Sequence, residues 1–95
     1  MTFTWDPKKA EANRKKHGVD FREAATVFDD LLSVAFPDPD HSVGESRFLI
    51  IGMSARRRVL VVSYAEVAAA IIRVISARTA TARERRFYEE DPNNH

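Results

Sequence analysis

The sequence predicts an α+β fold on three observations. Two helix-forming segments open the chain, three Ile/Val/Leu-rich runs of strand length follow one another through its middle, and a capping box starts a last helix near its end. Only a few residues separate the strand runs, so an antiparallel meander is the economical topology. The expected architecture is a compact, mainly antiparallel sheet with two N-terminal helices and one C-terminal helix, in a single domain over residues 1–95. A chain of 95 residues buries only about 60–65% of its unfolded surface, so modest stability and help from a partner are expected.

Phe3-Thr4-Trp5 is too short to stand alone and reads as an edge strand. Asp6 can cap a helix that Pro7 begins, since proline's fixed φ and missing N–H suit the first helical position. That helix should run to about His17, with Gly18 as its left-handed stop. Asp6, Ala10, Asn13 and His17 share one of its faces, yet it offers no large apolar residue. It is either a polar face put to use or a thin helix lying on the surface. A second helix opens at residues 19–23, where Asp20 and Glu23 have capping-box spacing. Phe21, Ala24, Ala25, Phe28, Leu31 and Leu32 give it a stripe facing a core.

Residues 33–36 read as a short strand that Pro37 and Pro39 terminate, and residues 38–45 as a polar loop. The meander strands are residues 46–53, 58–64 and 70–76. Residues 54–57 make the first turn. Residues 65–69 make the second, without the Gly or Asn usual in a tight hairpin. Phe48, Ile50 and Gly52 oppose Leu49 and Ile51, so both sheet faces are apolar and both need cover. Three helices leave part of one face to another protein. Thr81 and Glu84 form the capping box of the last helix, which runs to about Glu90 with Phe87 and Tyr88 as its apolar edge; residues 91–95 are a frayed tail.

Composition excludes several classes. Hydrophobic residues at 44% and charged residues at 31% argue against wholesale disorder. The absence of cysteine removes disulfide scaffolds, thiolate zinc sites and cysteine nucleophiles. No apolar run approaches the ~18 residues of a membrane span. Residues 1–6 do not read as a signal peptide, and the cytoplasm is the expected compartment. Charge is uneven: residues 1–50 carry seven Lys/Arg and nine Asp/Glu, residues 51–95 eight Arg and five Asp/Glu. Five of those eight arginines lie between Arg73 and Arg86. Guanidinium forks match phosphate and carboxylate, which points to an anionic partner; a solvated, salt-bridged helix is the plainer account.

Several segments together resemble a known family. Phe3-Thr4-Trp5-Asp6-Pro7, Asn13, Lys16-His17-Gly18-Val19, Glu45-x-Arg47, Arg73-Val74-Ile75-Ser76-Ala77-Arg78, Glu84 and Tyr88 occur in the order found in the BrnT (DUF497) toxins of bacterial type II toxin–antitoxin modules. The resemblance implies a RelE-like fold, RNA cleavage that inhibits translation, and neutralisation by a BrnA-type ribbon-helix-helix antitoxin, with DNA contacted only through the toxin–antitoxin complex. The chain departs from the family pattern in its two turns, at Arg56-Arg57-Arg58 and Glu66-Val67-Ala68-Ala69-Ala70, and at Thr79, where a basic residue is common.

Gly18, Gly44 and Gly52 are too scattered for a phosphate-cradling loop. His17, His41 and His95 lack metal-ligand spacing, and no cofactor is expected. A metal-free ribonuclease fits, because RNA brings its own 2′-hydroxyl nucleophile. The protein needs to position the phosphate, stabilise its transition-state charge and exchange protons. Arg47, Arg73 and Arg78 are the candidate phosphate clamps and His17 the proton shuttle. Lys9, Lys16, Arg83 and Arg86 are candidate RNA-backbone contacts. Asp6, Asn13, Glu45 and Glu84 support the site structurally. The ordinary readings stand beside these. Arg47 and Arg73 can pair with Glu45 or Glu66, and His17 can simply bond a carbonyl in the last helical turn. By strict alternation Arg78 points away from Arg73, so the two converge only if the chain bends after Ser76. The competing function is a non-catalytic binding module, or a degenerate toxin that binds only antitoxin or nucleic acid.

Overall fold

The computed structural model describes residues 1–38 and 46–90. Its elements are β1 (Thr2–Thr4), α1 (Pro7–His17), α2 (Phe21–Thr26), a 3-10 turn (Val27–Asp29), β2 (Val34–Pro37), β3 (Arg47–Met53), β4 (Val59–Ala68), β5 (Ile71–Thr79) and α3 (Ala82–Glu90). The five strands form one sheet in the order β1-β5-β4-β3-β2. The β2–β3, β3–β4 and β4–β5 pairs are antiparallel, and β1 lies parallel to β5. Glu45 and the frayed tail expected over residues 91–95 lie outside the described residues, as does most of the expected polar loop.

Both faces of the sheet are covered, by different layers. On one face α1 and α2 close over a core that includes Val19, Phe21, Ala24, Leu60, Val62, Val74 and Ala77, all 1% exposed or less. On the other, Tyr88 of α3 packs with Ile51, Val59 and Val61. The continuous apolar runs of β3 and β4 follow from that two-sided burial.

Local chemistry sets the helix ends. The Asp6 carboxylate accepts from the Lys8 amide at 2.8 Å, and Gly18 closes α1 at φ 69° with its N–H on the Arg14 carbonyl. Without a large apolar side chain, α1 is fastened by a hydrogen-bonded amide. Buried Asn13 donates to the carbonyls of Val19 (3.1 Å) and Ala77 (2.9 Å) and accepts from the Ala77 N–H (3.0 Å).

Four expectations change. The α2 helix ends at Thr26, and the Asp30 carboxylate accepts from the Leu32 amide in a local turn, which leaves Leu31 98% and Leu32 41% exposed rather than in the core. Glu23 is no capping-box partner: it is buried and bonds Ser54 and Arg58 across the β3–β4 turn. Pro37 belongs to β2, an edge strand where a missing N–H is tolerated. The β4 strand continues to Ala68, so the second hairpin turns tightly on Ala69 and Ala70, with Ala70 at φ 60°.

Gly52 marks a close approach. A Cβ there would sit 2.8 Å from Val27 Cγ1 and 2.9 Å from Ser33 Cβ. Gly52→Ala should therefore destabilise the chain by about 1–3 kcal/mol, the usual cost of overpacking a filled site, read as a lower urea midpoint with unchanged slope.

Candidate functional site

Sheet register brings the three strand arginines to one face. Arg47 of β3 pairs with Ala65 of β4, and Ala65 pairs on its other side with Arg73 of β5, which in turn faces Thr4 of β1. Two arginines thus flank an alanine in one cross-strand row. Two strand spacings separate their Cα atoms by about 10 Å, so both side chains can reach one anion above Ala65.

Arg78 joins them by an unexpected route. Ser63 pairs with Ser76 while Tyr64 pairs with Val74, so Ile75 is an extra residue on β5. A bulge resets the alternation of side chains. Arg78 therefore pairs with Val61, on the same face as Ser63 and Ala65. No bend after Ser76 is needed, because β5 continues as a strand to Thr79. The Arg78 row crosses β4 at Val61 and the Arg47–Arg73 row at Ala65, four positions or about 13 Å along the strand. Ser63 and Ser76 lie between them.

Arg78 is not an isolated charge. Its two terminal nitrogens bond both Glu84 oxygens, at 2.6 and 2.8 Å. Glu84 also accepts from the Thr81 amide at 2.9 Å, while Thr81 Oγ1 accepts from the Glu84 amide, closing the capping box of α3. The Arg78 guanidinium above all, helped by Thr81, draws the Glu84 carboxyl down to about 2 against the opposing effect of burial. A depressed carboxyl stabilises the fold above its unfolded value. This contribution should be intact above pH 4.5 and fade as pH falls toward about 2. Glu84→Gln should flatten that part of the acid-denaturation profile.

The other end of α3 is fixed by a carboxylate that the sequence did not single out. Asp30 Oδ2 accepts from the Tyr88 hydroxyl (2.6 Å) and the Met53 amide (2.8 Å), and Oδ1 accepts from the Leu32 amide. Burial would raise the Asp30 carboxyl, but those three donors together hold it below its usual value. Burial first, then the bond to Asp30, pushes the Tyr88 phenol up to about 12. The sign is opposite to that of Glu84: the neutral phenol's contribution is complete below pH 10 and lost as pH rises through about 12. Tyr88→Phe should remove that alkaline dependence, measured as stability against pH.

The remaining candidates divide between the layers. Arg83 and Arg86 are exposed on α3, on the side of the three strand arginines. His17, half-buried at the end of α1, and exposed Lys9 and Lys16 belong to the helical layer across the sheet. The structure does not bring His17 to the arginines. Asp6 caps α1 and Asn13 ties it to β5. Among the described residues no three His, Cys, Asp or Glu gather in a set that could hold a metal ion.

The family described as ribonuclease toxin, BrnT, of type II toxin–antitoxin system matches residues 5–84. The chain belongs to the BrnT family. The match begins at Trp5, just after β1, and runs through Arg47, Arg73 and Arg78 to Glu84. The fold is also similar to the 1.1 Å crystal structure of the Brucella abortus ribonuclease toxin BrnT, with 28% identity, a TM-score of 0.68, and coverage of 85% of this chain and 97% of that one. No protein of curated function matches it. As a BrnT-family toxin, the chain has an antitoxin as its expected partner class. Among the described residues, no helix is long and apolar enough to cross a membrane.

Proposed function

We propose that this BrnT-family chain is an endoribonuclease that cleaves RNA without a metal ion, inhibits translation in the cytoplasm, and is neutralised by a BrnA-like ribbon-helix-helix antitoxin through which alone it meets DNA. The observation that supports this reading is the convergence of Arg47, Arg73 and Arg78 on one sheet face through the extra residue Ile75. In RNA the 2′-hydroxyl gives up its proton to solvent and bonds to the adjacent phosphorus; the bond to the 5′-oxygen breaks, and that oxygen takes a proton from solvent, leaving a 2′,3′-cyclic phosphate and a 5′-hydroxyl end. Negative charge grows on the non-bridging oxygens as the pentavalent transition state forms. Arg47 and Arg73 flank the seat over Ala65 where that phosphate is held, and act by positioning and charge stabilisation. Arg78 is held in a fixed orientation by Glu84 and keeps its remaining N–H donors for the neighbouring backbone. Arg83 and Arg86 extend the same face toward the incoming strand. His17, Lys9 and Lys16, in the other layer, take no part in this arrangement.

One observation favours the second reading, a module that binds without cutting: the charge of Arg78 is already met by Glu84. The two readings part in one assay. Purified chain should cleave single-stranded RNA in EDTA, and should fail on the same oligonucleotide carrying a 2′-deoxy sugar at the cut site. Salt-sensitive binding of both oligonucleotides without cleavage would select the binding module.

A further inference from the structure

A second feature of the α3 side of the sheet is apolar and lies toward the opposite edge from the arginine row. A groove of about 520 Å³ runs between α3 and the β2 edge, lined by Val34, Phe36, Ile51 and Phe87 with Arg83 and Glu84 at its polar end. Phe87 is 49% exposed in a helix that otherwise presents charged side chains. Asp30 gathers the Leu32 amide, the Met53 amide and the Tyr88 hydroxyl, and Leu32 and Met53 are themselves exposed. Exposed apolar surface of this kind marks interaction sites.

The geometry points to this groove as the docking site of the antitoxin, which would insert apolar side chains between Phe36 and Phe87 and present carboxylates to α3. The partner class rests on the toxin–antitoxin reading; the location rests on the surface itself. Three features select a protein segment. The walls contributed by the sheet are partly aliphatic, from Val34 and Ile51, and fit branched apolar side chains. Among the described residues β2 pairs with β3 on one side only and ends the sheet, so an extended segment can hydrogen-bond along it. The polar end of the groove carries Arg83, and Arg85 and Arg86 are exposed with it in the first half of α3, while Glu89 and Glu90 are exposed in the second half. A segment with carboxylates beside the first half of α3 complements that pattern. The groove and the arginine row are different parts of one face. Anchoring therefore need not use the groups that hold the phosphate.

The test uses the full chain and the purified protein encoded by the reading frame adjoining its own. Phe87→Asp and Phe36→Asp should each weaken the complex at least tenfold by calorimetric titration, and Phe36→Asp, on β2 rather than beside Arg83 and Arg86, should leave RNA cleavage at the wild-type rate. Val67→Ser, at a 47% exposed apolar position on the far hairpin, should leave the complex at its wild-type strength. Phe87→Ser guards against misfolding of the charged variants and should also weaken binding. Unchanged binding in both phenylalanine variants would overturn the proposal. Reduced cleavage with intact binding would overturn it too, and would give the groove to a nucleobase. If wild-type chain cuts no RNA, the nuclease reading falls while the titration still decides the docking site.

Discussion

Arg73→Ala should lower RNA cleavage by roughly 10²–10³-fold, the loss expected when one preorganised donor to a developing oxyanion is removed. Arg73 sits in the row Thr4–Arg73–Ala65–Arg47, so its loss leaves Arg47 alone at the seat. The fall should appear in kcat more than in KM, because charge on the non-bridging oxygens is greatest in the transition state. Arg73 is half-buried on the α3 side, not in the core beneath α1, and the variant should keep the wild-type circular dichroism spectrum. Arg47→Ala should act alike. The double variant should lose less than the product of the two single losses if, as proposed, both groups hold one phosphate.

Asn13→Ala should destabilise the fold by about 3 kcal/mol, although it removes no apolar contact of any size. The Asn13 amide satisfies the N–H and C=O of Ala77 and the C=O of Val19. Without it, three buried backbone groups lose a partner, each at a cost of about 1–3 kcal/mol before water relieves part of it. For a domain of this size such a loss lowers Tm by roughly 10 °C or more. Asn13→Asp should be as damaging. A carboxylate can accept from the Ala77 N–H but cannot donate to either carbonyl. Thermal unfolding of both variants checks the assignment.

Asn13 also shows where the sequence was readable. Its place on the face shared with Asp6, Ala10 and His17 was legible, its burial was not, and Asp6, Pro7 and Gly18 bounded the helix, because caps act through neighbours in the chain. The Thr81–Glu84 box and the β-branched runs were legible for the same reason. What was hidden depended on distant partners. Glu23 has capping-box spacing from Asp20, but a buried bond to Ser54 and a pair with Arg58, 35 residues away, fix its place instead. Leu31 and Leu32 continue a helical stripe on paper, yet Asp30 folds back on the Leu32 amide and ends the pattern. Ile75 has no feature that distinguishes a bulge from an ordinary strand residue. Only the pairing of Ser76 with Ser63 and Val74 with Tyr64 reveals it. The arginines were thus identifiable as a class, and their shared face was not.

The most direct test is a side-chain NMR titration of the arginine Nε–Hε groups with a single-stranded oligonucleotide whose 2′-deoxy sugar blocks cleavage. If one phosphodiester chain lies across β3, β4 and β5, the signals of Arg47, Arg73 and Arg78 shift together along one saturation curve. Resonances that move separately, or not at all while RNA is still being cut, would place the chemistry elsewhere on the molecule.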